Sequence, residues 1–165
     1  MMQRKNRKTA LQKATEYLAR SEQSSSMIMQ KLLQSGYDVE EAETAINTLR
    51  ERHFIDDAAA CRSQLAYMYE DSSQSMRQIH AKLIRRGFPS ELISEAIDEL
   101  DGCEHREIEA AMKALRHRSW KSGDRQKMKA YLYRKGFSYD VASSAVEAFI
   151  DADRERFMEE EEEDD

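Results

Sequence analysis

The stretches KLLQSGY (Lys31–Tyr37), KLIRRGF (Lys82–Phe88) and YLYRKGF (Tyr131–Phe137) decide how this chain folds. Their glycine-aromatic pairs, Gly36-Tyr37, Gly87-Phe88 and Gly136-Phe137, lie 51 and 49 residues apart, a spacing that marks an internal repeat. Aligned on the glycines, Leu32, Leu83 and Leu132 share one position, and Ile28, Ile79 and Met128 stand one helical turn earlier on the same face. Eight residues before each leucine stands Ser24, Ser75 or Asp124, residue types whose side-chain oxygen accepts from a free backbone N–H at a helix start. Ser75 and Gln78 have the spacing of a capping box. Glycine takes the left-handed conformation that ends a helix, so residues 24–36, 75–87 and 124–136 read as short helices with a start, an apolar stripe and a stop.

A further helix follows each of these, with apolar residues at i, i+3, i+4 and i+7: Ala42, Ala45, Ile46 and Leu49; Ile93, Ala96, Ile97 and Leu100; Ala142, Ala145, Val146 and Phe149. Asp38 with Glu41, the Pro89-Ser90-Glu91 step and Ser138 are their start signals. Upstream lie helical stretches at 10–20, 57–69 and 104–117, so the unit is helix-helix-helix and the fold class all-α. The chain divides into a basic segment 1–9, repeats at 10–52, 53–102 and 103–150, and an acidic tail at 151–165. A unit this short buries a poor core alone, so three tandem repeats are expected to stack into an elongated, curved array. The Ser-rich stretches 21–26 and 72–75 are the expected places of flexing.

Composition agrees with helix. One proline, five glycines and 35% charged residues leave little room for strands and their turns. Arg4, Lys5, Arg7 and Lys8 are followed by no apolar stretch, so neither a signal peptide nor a membrane span is expected and the chain is assigned to the cytoplasm. Cys61 and Cys103 lack C-x-x-C spacing and read as reduced thiols filling packing space. The net charge of −6 is set by the tail; without residues 151–165 the body holds 24 basic against 22 acidic residues. Seven consecutive acids, Glu159–Asp165, repel one another and are expected to be disordered.

No zinc-protease, nucleophile-elbow or phosphate-loop motif is present, and the glycines fall at helix ends. His53, His80, His105 and His117 have no partner at metal-ligand spacing, so neither a metal nor a cofactor is expected. Asp56-Asp57 opens a helix, where acids complement the positive end of the dipole. The chemistry that does stand out is positive charge. The second repeat carries Arg77, Lys82, Arg85 and Arg86, and the third carries Lys113, Arg116, Arg118, Lys121, Arg125, Lys127, Lys129, Arg134 and Lys135 against the single acid Asp124. Interleaved with Trp120, Tyr131 and Tyr133, this stripe suits an anionic partner, either a phosphate backbone or an acidic protein groove. The competing reading is a solvated helix face. Trp120, in the polar loop RSWKSGD, is either an exposed anchor or a plug between two repeats.

With these residues in place the chain resembles the RecX family of regulatory proteins, over about residues 10–150. The resemblance is carried by ATEYLARSEQSSSMIMQKLLQSGY (Ala14–Tyr37), by the FIDD element (Phe54–Asp57) and by the step from Ile79 through Lys82-Leu83 to Gly87-Phe88. Two places depart from the family pattern: Ala60-Cys61 stand where Phe-Ala is usual, and Met27-Ile28 where Glu-Leu is usual. The resemblance implies three tandem three-helix repeats that bind RecA recombinase and no catalytic group. It further implies a monomer that lies in the groove of the RecA filament on single-stranded DNA and damps ATP hydrolysis, strand exchange and filament growth, and so acts in recombination, DNA repair and the SOS response. The candidate contact residues are the bases named above, with Trp120; direct binding to single- or double-stranded DNA and a scaffold role for another protein are the alternatives, and no membrane is involved.

Overall fold

The structure, a computed structural model, describes residues 7–70, 72–121 and 123–163. Arg4 and Lys5 of the basic segment, and Asp164 and Asp165 of the tail, lie outside the described residues. Among the described residues there is no strand, and the helices are α1 (Ala10–Arg20), α2 (Ser25–Gln34), α3 (Val39–Glu51), α4 (Asp57–Tyr69), α5 (Met76–Arg85), α6 (Ser90–Asp98), α7 (Cys103–Arg116), α8 (Arg125–Arg134) and α9 (Tyr139–Glu163). Each repeat thus contributes three.

The middle helices α2, α5 and α8 end in the same pair of hydrogen bonds. Tyr37 N–H donates to Leu32 O at 3.1 Å and Gly36 N–H to Leu33 O at 2.9 Å; the pattern recurs at Phe88 and Gly87, and at Phe137 and Gly136. Closing both bonds requires a left-handed residue just past the helix, and the three glycines have φ of +82°, +83° and +92°. The turn carries the next aromatic inward, so Tyr37, Phe88 and Phe137 are all buried.

Consecutive repeats are joined through these turns. Ser24 caps α2 by accepting from Met27 N–H at 3.1 Å, while its own hydroxyl donates to Arg86 O, just past the end of α5, at 2.6 Å. Ser75 does the same one repeat later, accepting from Gln78 N–H and donating to Lys135 O at 2.7 Å. An acid from the following repeat completes each joint: Asp57 accepts from Ser25 N–H at 2.7 Å and Glu107 from Met76 N–H at 2.6 Å. Each carboxylate therefore sits at the positive end of the preceding repeat's middle helix, where its charge is stabilised. The approach is close enough that a Cβ on Gly87 would stand 2.8 Å from Ser24 Oγ, and one on Gly136 3.0 Å from Ser75 Oγ. Gly36 meets a different side chain. There Arg7 donates to Ser35 O at 3.0 Å and lies 4.1 Å over the Tyr37 ring.

Packing divides the chain into two compact units, Met1–Leu65 with Lys82–Glu99, and Ala66–Ala81 with Leu100–Asp165. In the first unit α1 packs on α3 and both on α2, around Ala14, Ile28, Leu32, Ala42, Ile46 and Leu49. In the second, α7 packs on α9 and both on α8, around Ala111, Leu115, Met128, Leu132, Ala145 and Val146. The middle repeat, read from the sequence as a module at 53–102, is no separate body: α4 and α5 are each shared between the units. Its two ends are tied to different neighbours, Asp57 to α2 and the segment after α4 to α7.

That second tie restrains a stretch expected to flex. Arg106 of α7 donates to Tyr69 O, to Gln74 O at 3.1 Å and to Ser72 Oγ at 3.1 Å, with its guanidinium 4.4 Å over the Tyr69 ring. Likewise Gln23 ties the 21–24 loop to Tyr17 O at 2.8 Å. Two further expectations change. Asp124 stands at the start of α8 but makes no capping bond; its carboxylate accepts instead from Lys121 N–H at 3.0 Å and from Lys127 Nζ at 2.8 Å. The acidic tail, expected to be disordered, continues α9 as helix to Glu163. A helix already nucleated by its packed stem extends without a fresh nucleation cost, and glutamate is a good helix former. Cys61 is buried, which pushes its thiol above the usual range, in keeping with a packing role.

The joints predict an uneven response to one substitution. Gly36→Ala should cost about 1–2 kcal/mol, the strain of a left-handed alanine. Gly87→Ala and Gly136→Ala should cost roughly 2–4 kcal/mol, because the new methyl group also displaces the serine hydroxyl. Equilibrium urea denaturation measures the difference, and equal costs at the three sites would count against the joints.

Candidate binding interface

Burial of Met128 and Leu132 turns the opposite face of α8 to solvent, and burial of Ile79 and Leu83 does the same for α5. Arg125, Lys127 and Arg134 are accordingly exposed, as are Arg77, Arg85 and Arg86, while Lys82 and Lys129 are half-buried. Exposure does not make them equivalent. Arg125 pairs with Glu147 of α9 at 2.9 Å, and Arg86 donates to Gln64 Oε1 at 2.7 Å. Lys127 holds Asp124, whose carboxyl is kept below its usual range by that hydrogen bond and by the Lys121 N–H. Arg118 lies over the rings of Trp120 (5.4 Å) and Tyr131 (5.0 Å), and Lys135 over Tyr131 at 5.3 Å. Among the described residues Arg77, Lys82, Arg85, Arg116, Lys121, Lys129 and Arg134 make no ion pair. These are the cations free to meet an anionic partner. Lys113 is half-buried on α7.

The stripe read along the sequence is divided between the units: Lys82, Arg85 and Arg86 belong to the first, and Arg77 with the bases from Lys113 to Lys135 to the second. Within the second unit Arg118, Trp120, Lys121 and Arg125 line a groove of about 790 Å³, whose other wall is Asp153 and Arg154 of α9. Trp120 is neither an exposed anchor nor a plug between repeats. It packs half-buried on the core of the third repeat, edge-on to Tyr131 with ring centroids 5.5 Å apart, and its indole N–H donates to Leu115 O at 2.9 Å.

Exposed aromatics lie elsewhere. Tyr133 is 65% and Tyr139 70% exposed, on either side of the Gly136 turn. The residue after each buried leucine is an exposed apolar one in every repeat, Leu33, Ile84 and Tyr133, and it is aromatic in the third alone. The signal was present as register, since the next residue along a helix turns about 100° away from the buried face. Among the described residues no group of three or more His, Cys, Asp or Glu could hold a metal ion, and no helix is long and apolar enough to cross a membrane.

Linked three-helix units with joints of this kind define a helical repeat protein. The model of the RecX first three-helix domain matches residues 10–49, and that of the third matches residues 107–146. Regulatory protein RecX of Chlorobaculum tepidum is 30% identical over 146 residues, covering 86% of this chain and 89% of the relative. The chain belongs to the RecX family of regulatory proteins. It spans about half the length of another relative, RecX of Lactococcus lactis subsp. cremoris strain SK11, with 29% identity over 129 residues that cover 73% of this chain and 48% of that one. Among solved structures, RecX from Lactobacillus salivarius superposes with a TM-score of 0.70 at 20% identity, covering 85% of this chain and 94% of its own. A second crystal structure of regulatory protein RecX gives 0.67 at 25% identity, covering 86% and 70%.

The packing of Trp120 predicts a stability effect. Trp120→Ala should destabilise by about 2–3 kcal/mol, somewhat below the cost for a fully buried tryptophan. Trp120→Phe, which keeps the ring contact and loses the bond to Leu115, should cost about 1 kcal/mol. Urea denaturation followed by circular dichroism reads both, and unchanged midpoints would make Trp120 a contact residue alone.

Proposed function

We propose that this chain modulates RecA recombinase by docking on the RecA filament formed on single-stranded DNA and restraining ATP hydrolysis, strand exchange and filament growth. Membership of the RecX family supports the reading, and one observation carries it to particular residues: cations without ion pairs among the described residues on the middle helices of the second and third repeats, with none at the matching places of the first beyond Lys31. A filament presents phosphates and protein surface at a regular spacing. Several repeats, each binding weakly, gain from linkage, because one docked contact raises the effective concentration of the next. The chain acts by occupying a surface, and its cytoplasmic location and its action without a cofactor follow from that role.

A second reading, direct binding of nucleic acid through the second unit, is favoured by the exposed tyrosines beside unpaired bases. Binding by cations predicts affinity that falls steeply with salt in both cases, since phosphate contacts release counterions.

Titrating the chain into RecA turning over ATP on single-stranded DNA should lower the steady-state rate near equimolar ratio. The double variant Arg116→Glu, Arg134→Glu should shift the midpoint at least about tenfold to higher concentration, by setting like charge against the partner's anions. An unaltered ATPase rate with the parent chain at equimolar ratio would discard the RecA reading.

A further inference from the structure

The turn between α8 and α9 gathers two exposed tyrosines and several bases. Tyr133 and Tyr139, both largely exposed, stand three residues before and after Gly136. Because Gly136 lacks a Cβ, the Arg77 side chain lies across the turn: a Cβ at 136 would be 3.1 Å from Arg77 Cδ and 3.2 Å from its Cβ. The equivalent place against Gly87 is taken by Ser26, which carries no charge. Lys129, one turn before Tyr133 on the same face of α8, and Arg134 beside it make no ion pair among the described residues, and neither does Arg77. Two open aromatic faces thus share a turn with three positive charges not spent on the protein itself.

We infer that this turn is a stacking platform for single-stranded nucleic acid, with an unpaired base on Tyr133 or Tyr139 and the flanking phosphates on Arg77, Lys129 and Arg134. This rests on the reading that the second unit meets the nucleic acid of its partner, and it names the strand form recognised. An unpaired base offers its π-face to an aromatic side chain, whereas a duplex keeps those faces inside its own stack. Cations alone would bind either form. Stacking is what separates them, and it does not depend on base identity, so the platform recognises single strands of any sequence. Leu33 and Ile84 at the matching positions of the first and second repeats give apolar contact without a π-face, so at this register the role falls to the third repeat.

The same register supplies the test, because α2 folds with leucine at this place. In the full-length chain, Tyr133→Leu should weaken binding to a fluorescein-labelled oligo-dT by at least about fivefold, the lower end of what losing one stacked base costs, and should leave the slope of log affinity against log salt unchanged. Tyr133→Phe keeps the ring and should bind like the parent. Arg77→Ala should lower the salt slope by about one. Binding to a duplex of equal length should be insensitive to Tyr133→Leu. Thermal unfolding by circular dichroism confirms that each variant is folded. Oligo-dT affinity unaltered by Tyr133→Leu, an equal loss on duplex, or no measurable oligo-dT binding by the parent at low salt would each overturn the platform. RecA ATPase measured with the same proteins keeps the two questions apart: inhibition that persists in a chain without oligo-dT affinity leaves the modulator reading standing while the platform falls.

Discussion

One contact organises this protein: a serine hydroxyl that caps its own helix and at the same time donates to the carbonyl just past the end of the corresponding helix in the next repeat. A capping serine usually satisfies one orphan group, at one helix end. Here Ser24 and Ser75 each serve two ends, and Asp57 and Glu107 take a further N–H at the same place. Buried polar groups left unpaired cost more than pairing them gains, so the joint is directional: the helices must meet in this register or leave donors and acceptors unmet. Hydrophobic burial supplies most of the energy of each unit, but it does not choose a register. The serines and acids do.

The helices, their order and most of their core positions were legible because each has a local signature, repeated three times in one register. What was not legible depends on partners distant in sequence. Asp57 read as opening its own helix, yet its carboxylate reaches Ser25, 32 residues earlier. Arg7 read as one base of a charged terminal segment, yet it serves the first turn as Ser24 and Ser75 serve the later ones. Asp124 has the composition of a cap and the position of one, but two lysines compete for its carboxylate. The tail was judged on charge repulsion alone, without the continuity of the helix that leads into it. For the candidate surface, sequence proximity from Lys113 to Lys135 says nothing of which cations are already engaged by Glu147, Asp124 or an aromatic ring.

Among the described residues Arg125 meets Glu147 of α9, Lys127 meets Asp124 and Arg118 meets the rings of Trp120 and Tyr131, while Arg77, Arg85 and Arg134 make no ion pair. Trp120, the residue most suggestive of an interface by type, is taken up by the core of the third repeat, while Tyr133, one residue past the buried stripe, is left open. A side chain's availability is thus set by its angle around the helix before its chemistry matters.

The first and last middle helices differ from the interior joints. At the first turn the acceptor that a preceding repeat would claim, Ser35 O, is already taken by Arg7. At the last middle helix the serine is replaced by Asp124, which has no hydroxyl to offer a following repeat. Arg7 at the first turn and Asp124 at the last middle helix thus replace, with a charged side chain each, the hydroxyl that serves the interior joints.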